Sequence, residues 1–283
     1  MHGILITVGL LAAATAATNL TCTDGLYMIV ARGTEETAAA RNGFYPANSG
    51  SPGYVAQLIA AQIKDSIIMG VDYPATITDP SYVQSEEEGI TTMLQLVNQY
   101  HSSCPNAKMA LLGYSQGAQV VSDVLCGGSG GNFGHNAPLS PDIVKNNILA
   151  AVLFGDPTHI ANTSYDLGTS VHNGMFPRTN NTVCKQYSDR MASWCDKGDE
   201  VCDTGHNDAV HGLYIQRYNS TMVEYVVERW QNSTDPSSTT TGSSTASPTS
   251  SETGSASTHT GTASGLAPLA WPLILLSCGL FFV

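Results

Sequence analysis

Met109-Ala110-Leu111-Leu112-Gly113-Tyr114-Ser115-Gln116-Gly117-Ala118 decides the reading of this chain. An apolar run ends in G-x-S-x-G, and Ala118, Val121 and Leu125, with Val120 and Val124 beside them, then continue at helical spacing. The pattern is that of a nucleophile elbow, in which a buried strand turns sharply into a helix and leaves the serine at the tip of a sheet. A Cβ at either flanking glycine would clash in so tight a turn. The first backbone N–H groups of the helix lie near the serine oxygen.

Leu26 to Ala31 reads as a buried strand ending in a polar, glycine-containing loop. Val55, Leu58, Ile59, Ile63 and Ile67 keep helical spacing, and a short strand is expected near Val71 to Ala75. Ile90, Met93, Leu94 and Val97 fit a second helix, with Glu86, Glu87 and Glu88 suited to its start. A further apolar strand spans Ile148 to Phe154, and Val223, Val226, Val227 and Trp230 form a closing helix. Strands alternating with helices imply an α/β fold of three layers, a central parallel sheet with helices on both faces. Catalytic groups then belong at the carboxyl ends of the strands.

The ends of the chain read as processing signals. Residues 1–17 are apolar and rich in small residues, without Lys or Arg, and Thr15-Ala16-Ala17 offers a signal-peptide cleavage site. Residues 233–264 are almost wholly Ser, Thr, Gly, Ala and Pro, a composition that solvates as a stalk and buries no core. The apolar tail 265–283 carries Pro268 and Pro272 and has no basic flank, which favours a removed GPI-attachment signal over a retained span. Attachment is expected near Gly254, Ser255 or Ser257. One domain, 18–232, remains between them.

The net charge of −12 argues against nucleic acid as a partner. Leaving aside Cys278 in the tail, six cysteines remain, an even number that implies disulfides in a secreted chain but allows 15 pairings. Asn19, Asn162, Asn180, Asn219 and Asn232 each begin a glycosylation sequon. No C-x-x-C pair occurs, so a cysteine metal site is not expected.

A serine nucleophile needs a base, and the base needs an orienting carboxylate. The segment Cys195 to Cys202 is dense in acids, and His206 and His211 follow. Residue chemistry alone leaves several acids and both histidines open. A metal site from His206, Asp208 and His211 is conceivable but unnecessary, and neither a metal nor a cofactor is expected. His101, His135, His159 and His172 receive no role.

Ala31-Arg32-Gly33-Thr34-Glu35, the Gly113–Gly117 elbow, Phe154-Gly155-Asp156-Pro157, and Cys195 to Cys202 followed by a histidine together resemble the cutinase and acetylxylan esterase family. The resemblance covers residues 20–230 and implies a compact α/β-hydrolase-like fold. It implies Ser115 as nucleophile, Asp199 (in Gly198-Asp199-Glu200-Val201-Cys202) as acid, and His211, followed by Tyr214, as base. His206 lacks the following tyrosine, and Asp196, Asp203 and Asp208 read as solvated loop acids. The same resemblance implies an oxyanion hole from Thr34 and Gln116, with threonine at a position where many members carry serine. It also implies the disulfides Cys22–Cys104, Cys126–Cys184 and Cys195–Cys202. By chain entropy the last is worth about 2–3 kcal/mol and each longer loop about 4–5 kcal/mol.

The implied activity is ester hydrolysis outside the cell or at its surface, with the membrane reached only through a lipid anchor, by a monomer. Leu125-Cys126-Gly127-Gly128, Cys184 and the run from Gly205 to His211 lean toward the acetylxylan esterases, hence short-acyl esters of plant polysaccharide. Cutinase activity on aliphatic polyesters is the alternative, and a non-catalytic wall protein and a membrane-lipid lipase are further readings. The first of these would be favoured by loss of Ser115, Asp199 or His211, all of which are present; the absence of a long lid insertion lowers the second.

Overall fold

The computed structural model describes residues 20–42 and 44–234. The expected signal peptide, Asn19, the stalk beyond residue 234, and Gly254, Ser255 and Ser257 lie outside the described residues.

The sheet holds β1 (Tyr27–Ala31), β2 (Ile67–Gly70), β3 (Met109–Tyr114), β4 (Ile148–Phe154), β5 (Asp166–Gly168) and β6 (Met191–Cys195). Its order is β2-β1-β3-β4-β6-β5, and every pairing is parallel. Helices α1 (Gly50–Ala60), α2 (Tyr82–Ser103), α3 (Gln116–Cys126), α4 (Pro141–Asn146), α5 (Thr182–Gln186), α6 (Asp208–His211) and α7 (Tyr214–Thr234) complete the chain. β3, the elbow strand, lies between β1 and β4 inside the sheet.

The two-residue period of the strands sends alternate side chains to two cores. Tyr27, Ile29, Met109 and Leu111 join α2 and α3 on one face. Leu26, Met28, Val30, Ala110 and Leu112 join α1 and α7 on the other. The central strands are therefore apolar throughout, as a parallel sheet covered on both sides requires.

Three local expectations are corrected. Strand β2 occupies Ile67–Gly70 rather than Val71 to Ala75, so Ile67 belongs to the sheet and not to the preceding helix. Pro74 has no N–H, and the Arg32 guanidinium takes the carbonyls of Val71, Tyr73 and Pro74 that a strand would have paired. Helix α2 starts at Tyr82, where Ser81 and Gln84 form a capping box. Glu86 to Glu88 thus lie past the first turn, and Glu86 is wholly buried. Burial first, and Asp123 next, push its carboxyl up to about 9.

Candidate active site

The elbow is built from backbone necessity. Strand β3 ends at Tyr114, α3 begins at Gln116, and Ser115 between them sits at φ 52°, ψ −121°. Such a conformation costs on the order of 1–3 kcal/mol and persists only where the surroundings hold it. A Cβ on Gly113 would lie 2.2 Å from the Gly117 carbonyl oxygen, and one on Gly117 would lie 2.1 Å from that of Ala31. The Ser115 N–H donates to the Phe154 carbonyl at 3.0 Å, tying the turn to the end of β4.

His211, the last residue of α6, places Nε2 2.9 Å from Ser115 Oγ. Its Nδ1 lies 2.9 Å from Asp199 Oδ2 and 3.1 Å from Oδ1. Asp199 is fully buried and also accepts from the N–H groups of Val201 (2.7 Å) and Cys202 (3.1 Å) and from the Tyr214 hydroxyl (2.7 Å). Burial raises the Asp199 pKa, but donation from His211, Tyr214 and Cys202 outweighs it and holds the carboxyl below its usual range. An ionised carboxylate only accepts, so Nδ1 carries the proton and Nε2 of the neutral ring presents a lone pair to the serine. Gly155, at φ +64°, abuts the ring, and the Tyr114 hydroxyl donates to the His211 carbonyl at 2.9 Å.

Asp199 lies in a loop closed by the Cys195–Cys202 disulfide. Buried His159 braces that loop, with Nδ1 2.9 Å from the Cys202 carbonyl and Nε2 2.9 Å from Asp166. Burial lowers the His159 pKa, but its contacts with Asp166 prevail and raise it. Two further bonds, Cys22–Cys104 and Cys126–Cys184, tie α2 to the N-terminal segment and α3 to α5.

The loop after β1 runs along the other side of the serine. Arg32 anchors it through the carbonyls beyond β2, and Glu36 accepts from Gly33 N–H (2.7 Å), Ser51 N–H (3.0 Å) and the Ser51 hydroxyl. A Cβ on Gly33 would lie 2.6 Å from the Tyr114 ring and 3.4 Å from Ser115 Cβ, so this backbone abuts the elbow. Gly33 and Glu35 commit their N–H groups to Glu36 and Ala75, while the N–H of Thr34 between them has no acceptor among the described residues. Gln116 opens α3, so its N–H has no intrahelical partner. The Gln116 side chain is held away, accepting from Ser85 and donating to Thr76. A cleft of about 310 Å³ opens beside these groups, lined by Thr34, Glu36, Tyr114, Phe154, His211 and Ile215 among others.

The remaining sequence candidates lie elsewhere. His206 is exposed and lines a separate cleft with His172 and Lys197. Asp208 is exposed, but Asp196 and Asp203 are buried rather than solvated. Asp196 accepts from Arg217, Tyr218 and Thr169, and Asp203 from Gly198 and Ser170, so both acids fasten this region together. Among the described residues no group of three His, Cys, Asp or Glu is placed to hold a metal. Asn162, Asn180 and Asn232 are exposed, whereas Asn219 is half-buried and its amide donates to the Ile215 carbonyl. Glu36 and His159 carried no sequence signal, since their partners are fixed only by the fold.

A family model described as Cutinase matches residues 21–230. The chain belongs to the cutinase family. Membership places it among carboxylic ester hydrolases. It is 32% identical over 198 residues to cutinase 11 of Verticillium dahliae, covering 67% of this chain and 66% of that protein. It is 33% identical over 189 residues to acetylxylan esterase 2 of Talaromyces purpureogenus, covering 62% and 80%. A solved acetylxylan esterase structure superposes with a TM-score of 0.64 at 29% identity, covering 74% of this chain and 99% of the other. No helix among the described residues is long and apolar enough to cross a membrane.

Proposed function

We propose that this cutinase-family chain hydrolyses short-acyl esters, acetyl groups on plant polysaccharide foremost, through an acyl-enzyme on Ser115. The observation that carries the reading is the unbroken chain of contacts from Ser115 through His211 to Asp199, each link 2.9 Å at its shorter approach. His211 takes the Ser115 proton as Oγ attacks the ester carbonyl, and Asp199 stabilises the imidazolium that forms. The N–H groups of Thr34 and Gln116 receive the carbonyl oxygen as it gains charge, where one such donor is worth about 3–4 kcal/mol of barrier. The alcohol leaves with the His211 proton, and water then releases the acid by the same steps in reverse.

The lean toward acetyl esters rests on the sequence features around Cys126 and His211 and on the similarity to acetylxylan esterases. Cutinase activity is the second reading, carried by the comparable identity to a cutinase. The proposed setting is extracellular, with residues 18–232 as the enzyme, on a stalk and lipid anchor, a setting the three disulfides suit. Recovery of the mature protein wholly in the medium, with none released from cells by phospholipase, would count against the anchor.

Rates on nitrophenyl esters of increasing acyl length, for the secreted domain and its Ser115→Ala variant, test the reading. Serine-dependent activity that drops sharply beyond acetate supports it. Serine-dependent activity sustained through butyrate and longer chains favours the cutinase reading, and serine-independent activity or none removes both.

A further inference from the structure

Tyr214 opens α7 three residues after His211, and its side chain is almost wholly buried beneath the histidine. Its hydroxyl makes three contacts at one point. It donates to Asp199 Oδ2 at 2.7 Å, accepts from the Asp196 N–H at 2.9 Å, and lies 3.1 Å from Cys202 Sγ of the disulfide. The oxygen it reaches on Asp199 is the one nearer His211 Nδ1. We infer that Tyr214 is a positioning residue of the esterase site, its hydroxyl fixing the Asp199 carboxylate and setting how strongly that carboxylate holds the His211 proton.

The proposal rests on the Ser115–His211–Asp199 reading and extends it. A carboxylate oxygen that already accepts a strong hydrogen bond offers less charge to a second donor. With Tyr214 in place, Oδ2 is shared between the phenol and the imidazole. Without the hydroxyl the same charge is concentrated on His211, which becomes harder to deprotonate, and the carboxylate loses the support that sets its plane. Oδ1 already accepts from the N–H groups of Val201 and Cys202 and stands farther from Nδ1, at 3.1 Å, so Oδ2 is the oxygen on which the phenol and the imidazole compete most closely. Tyr214 itself stays a donor: burial first, and the Asp199 charge next, push its phenol far above the ordinary range. The other titratable groups facing this corner are Asp196 and Asp203 on the same loop, Arg217 and Tyr218 from α7, Tyr114 from β3, Glu36 from the loop after β1, and His159 behind Cys202. None of them donates to Asp199 Oδ2 among the described residues.

Tyr214→Phe keeps the ring and removes the hydroxyl. Tyr218→Phe is the matched control, since the Tyr218 hydroxyl donates to Asp196 Oδ1 at 2.7 Å and not to Asp199. Initial rates on nitrophenyl acetate are measured from pH 4 to 9 for wild type, both phenylalanine variants and Ser115→Ala. For Tyr214→Phe the acid limb of kcat/KM should move up by about half a pH unit or more, and kcat on the plateau should fall about tenfold. KM should stay within about twofold, and Tyr218→Phe should keep the wild-type limb. A Tyr214→Phe protein that folds with unchanged limb and kcat overturns the inference, as does a fall in kcat with no movement of the limb, which marks a structural role only. If Ser115→Ala retains activity, the underlying esterase reading fails instead. Should Tyr214→Phe not fold, Tyr214→Met offers a buried side chain without a hydroxyl, and the same limb shift is required of it.

Discussion

Gly155 is where backbone conformation and the proposed catalytic geometry meet, and a single methyl group tests both. The residue sits at φ +64°, and a Cβ built on it would lie 2.7 Å from His211 Cε1 and 3.0 Å from Nδ1. Carbon atoms settle at about 3.5 Å or more, so the imidazole has to retreat by roughly 0.8 Å in Gly155→Ala. Alanine in the left-handed region adds about 1–2 kcal/mol of strain. The ring cannot retreat freely, because Asp199 and the carbonyl contact with Tyr114 hold it. Moving it lengthens the 2.9 Å contact with Ser115 Oγ. A misplacement of about 1 Å at reacting groups costs on the order of 100-fold, so kcat/KM should fall about 10- to 100-fold. The loss of folding stability should be about 2–5 kcal/mol, the backbone strain and the displaced ring together. Steady-state hydrolysis of nitrophenyl acetate and a urea melt measure the two effects separately. Wild-type kcat/KM in a folded Gly155→Ala protein would refute the claim that this glycine makes room for a working His211.

Further outcomes follow from other contacts. Glu36→Ala frees the Gly33 N–H and unpins the loop that carries Thr34. It should lower kcat about 10- to 100-fold with KM little changed, as the loss of a well-placed oxyanion donor does. The Glu86 carboxyl, raised to about 9 from 4.5, holds its proton more tightly folded than unfolded. Its stabilising effect is therefore full below pH 4.5 and is lost as pH rises toward 9. Glu86→Gln should remove this loss, with a gain over wild type of about 3 kcal/mol at pH 7 and almost none at pH 4, read from denaturant melts across pH. Serine at both Cys195 and Cys202 opens the loop around Asp199. Stability should fall about 2–3 kcal/mol in the same melts, and the esterase assay should show kcat falling with it.

Much of the site was legible because covalent geometry demands particular residues. The elbow turn leaves no room for a Cβ at positions 113 and 117, so its glycines appear in the sequence as a pattern. Helices α2 and α7 were legible in their apolar spacing, because each buries one stripe against the sheet. Strand β6 was not, since Ala192 and Ser193 interrupt its apolar run although all five residues are buried. The displacement of β2 was hidden too, because Arg32 diverts the carbonyls of Val71, Tyr73 and Pro74 from a distant loop. Glu86 reads as an acid of the helix start, yet it stands four residues before Ile90 on the stripe that α2 buries. Choosing Asp199 over Asp196 and Asp203 needed the family resemblance; in the fold, of the three only Asp199 reaches His211.

In the proposed mechanism Ser115 is a nucleophile activated by His211. Treating the mature domain with diethyl nitrophenyl phosphate and locating the adduct by peptide mass spectrometry tests it most directly. One diethylphosphoryl group is expected, on Ser115, with activity lost in step with labelling, and no labelling of the His211→Ala variant on the same timescale. Full activity in a completely labelled protein, or an adduct on another residue that tracks the loss of activity, would contradict it.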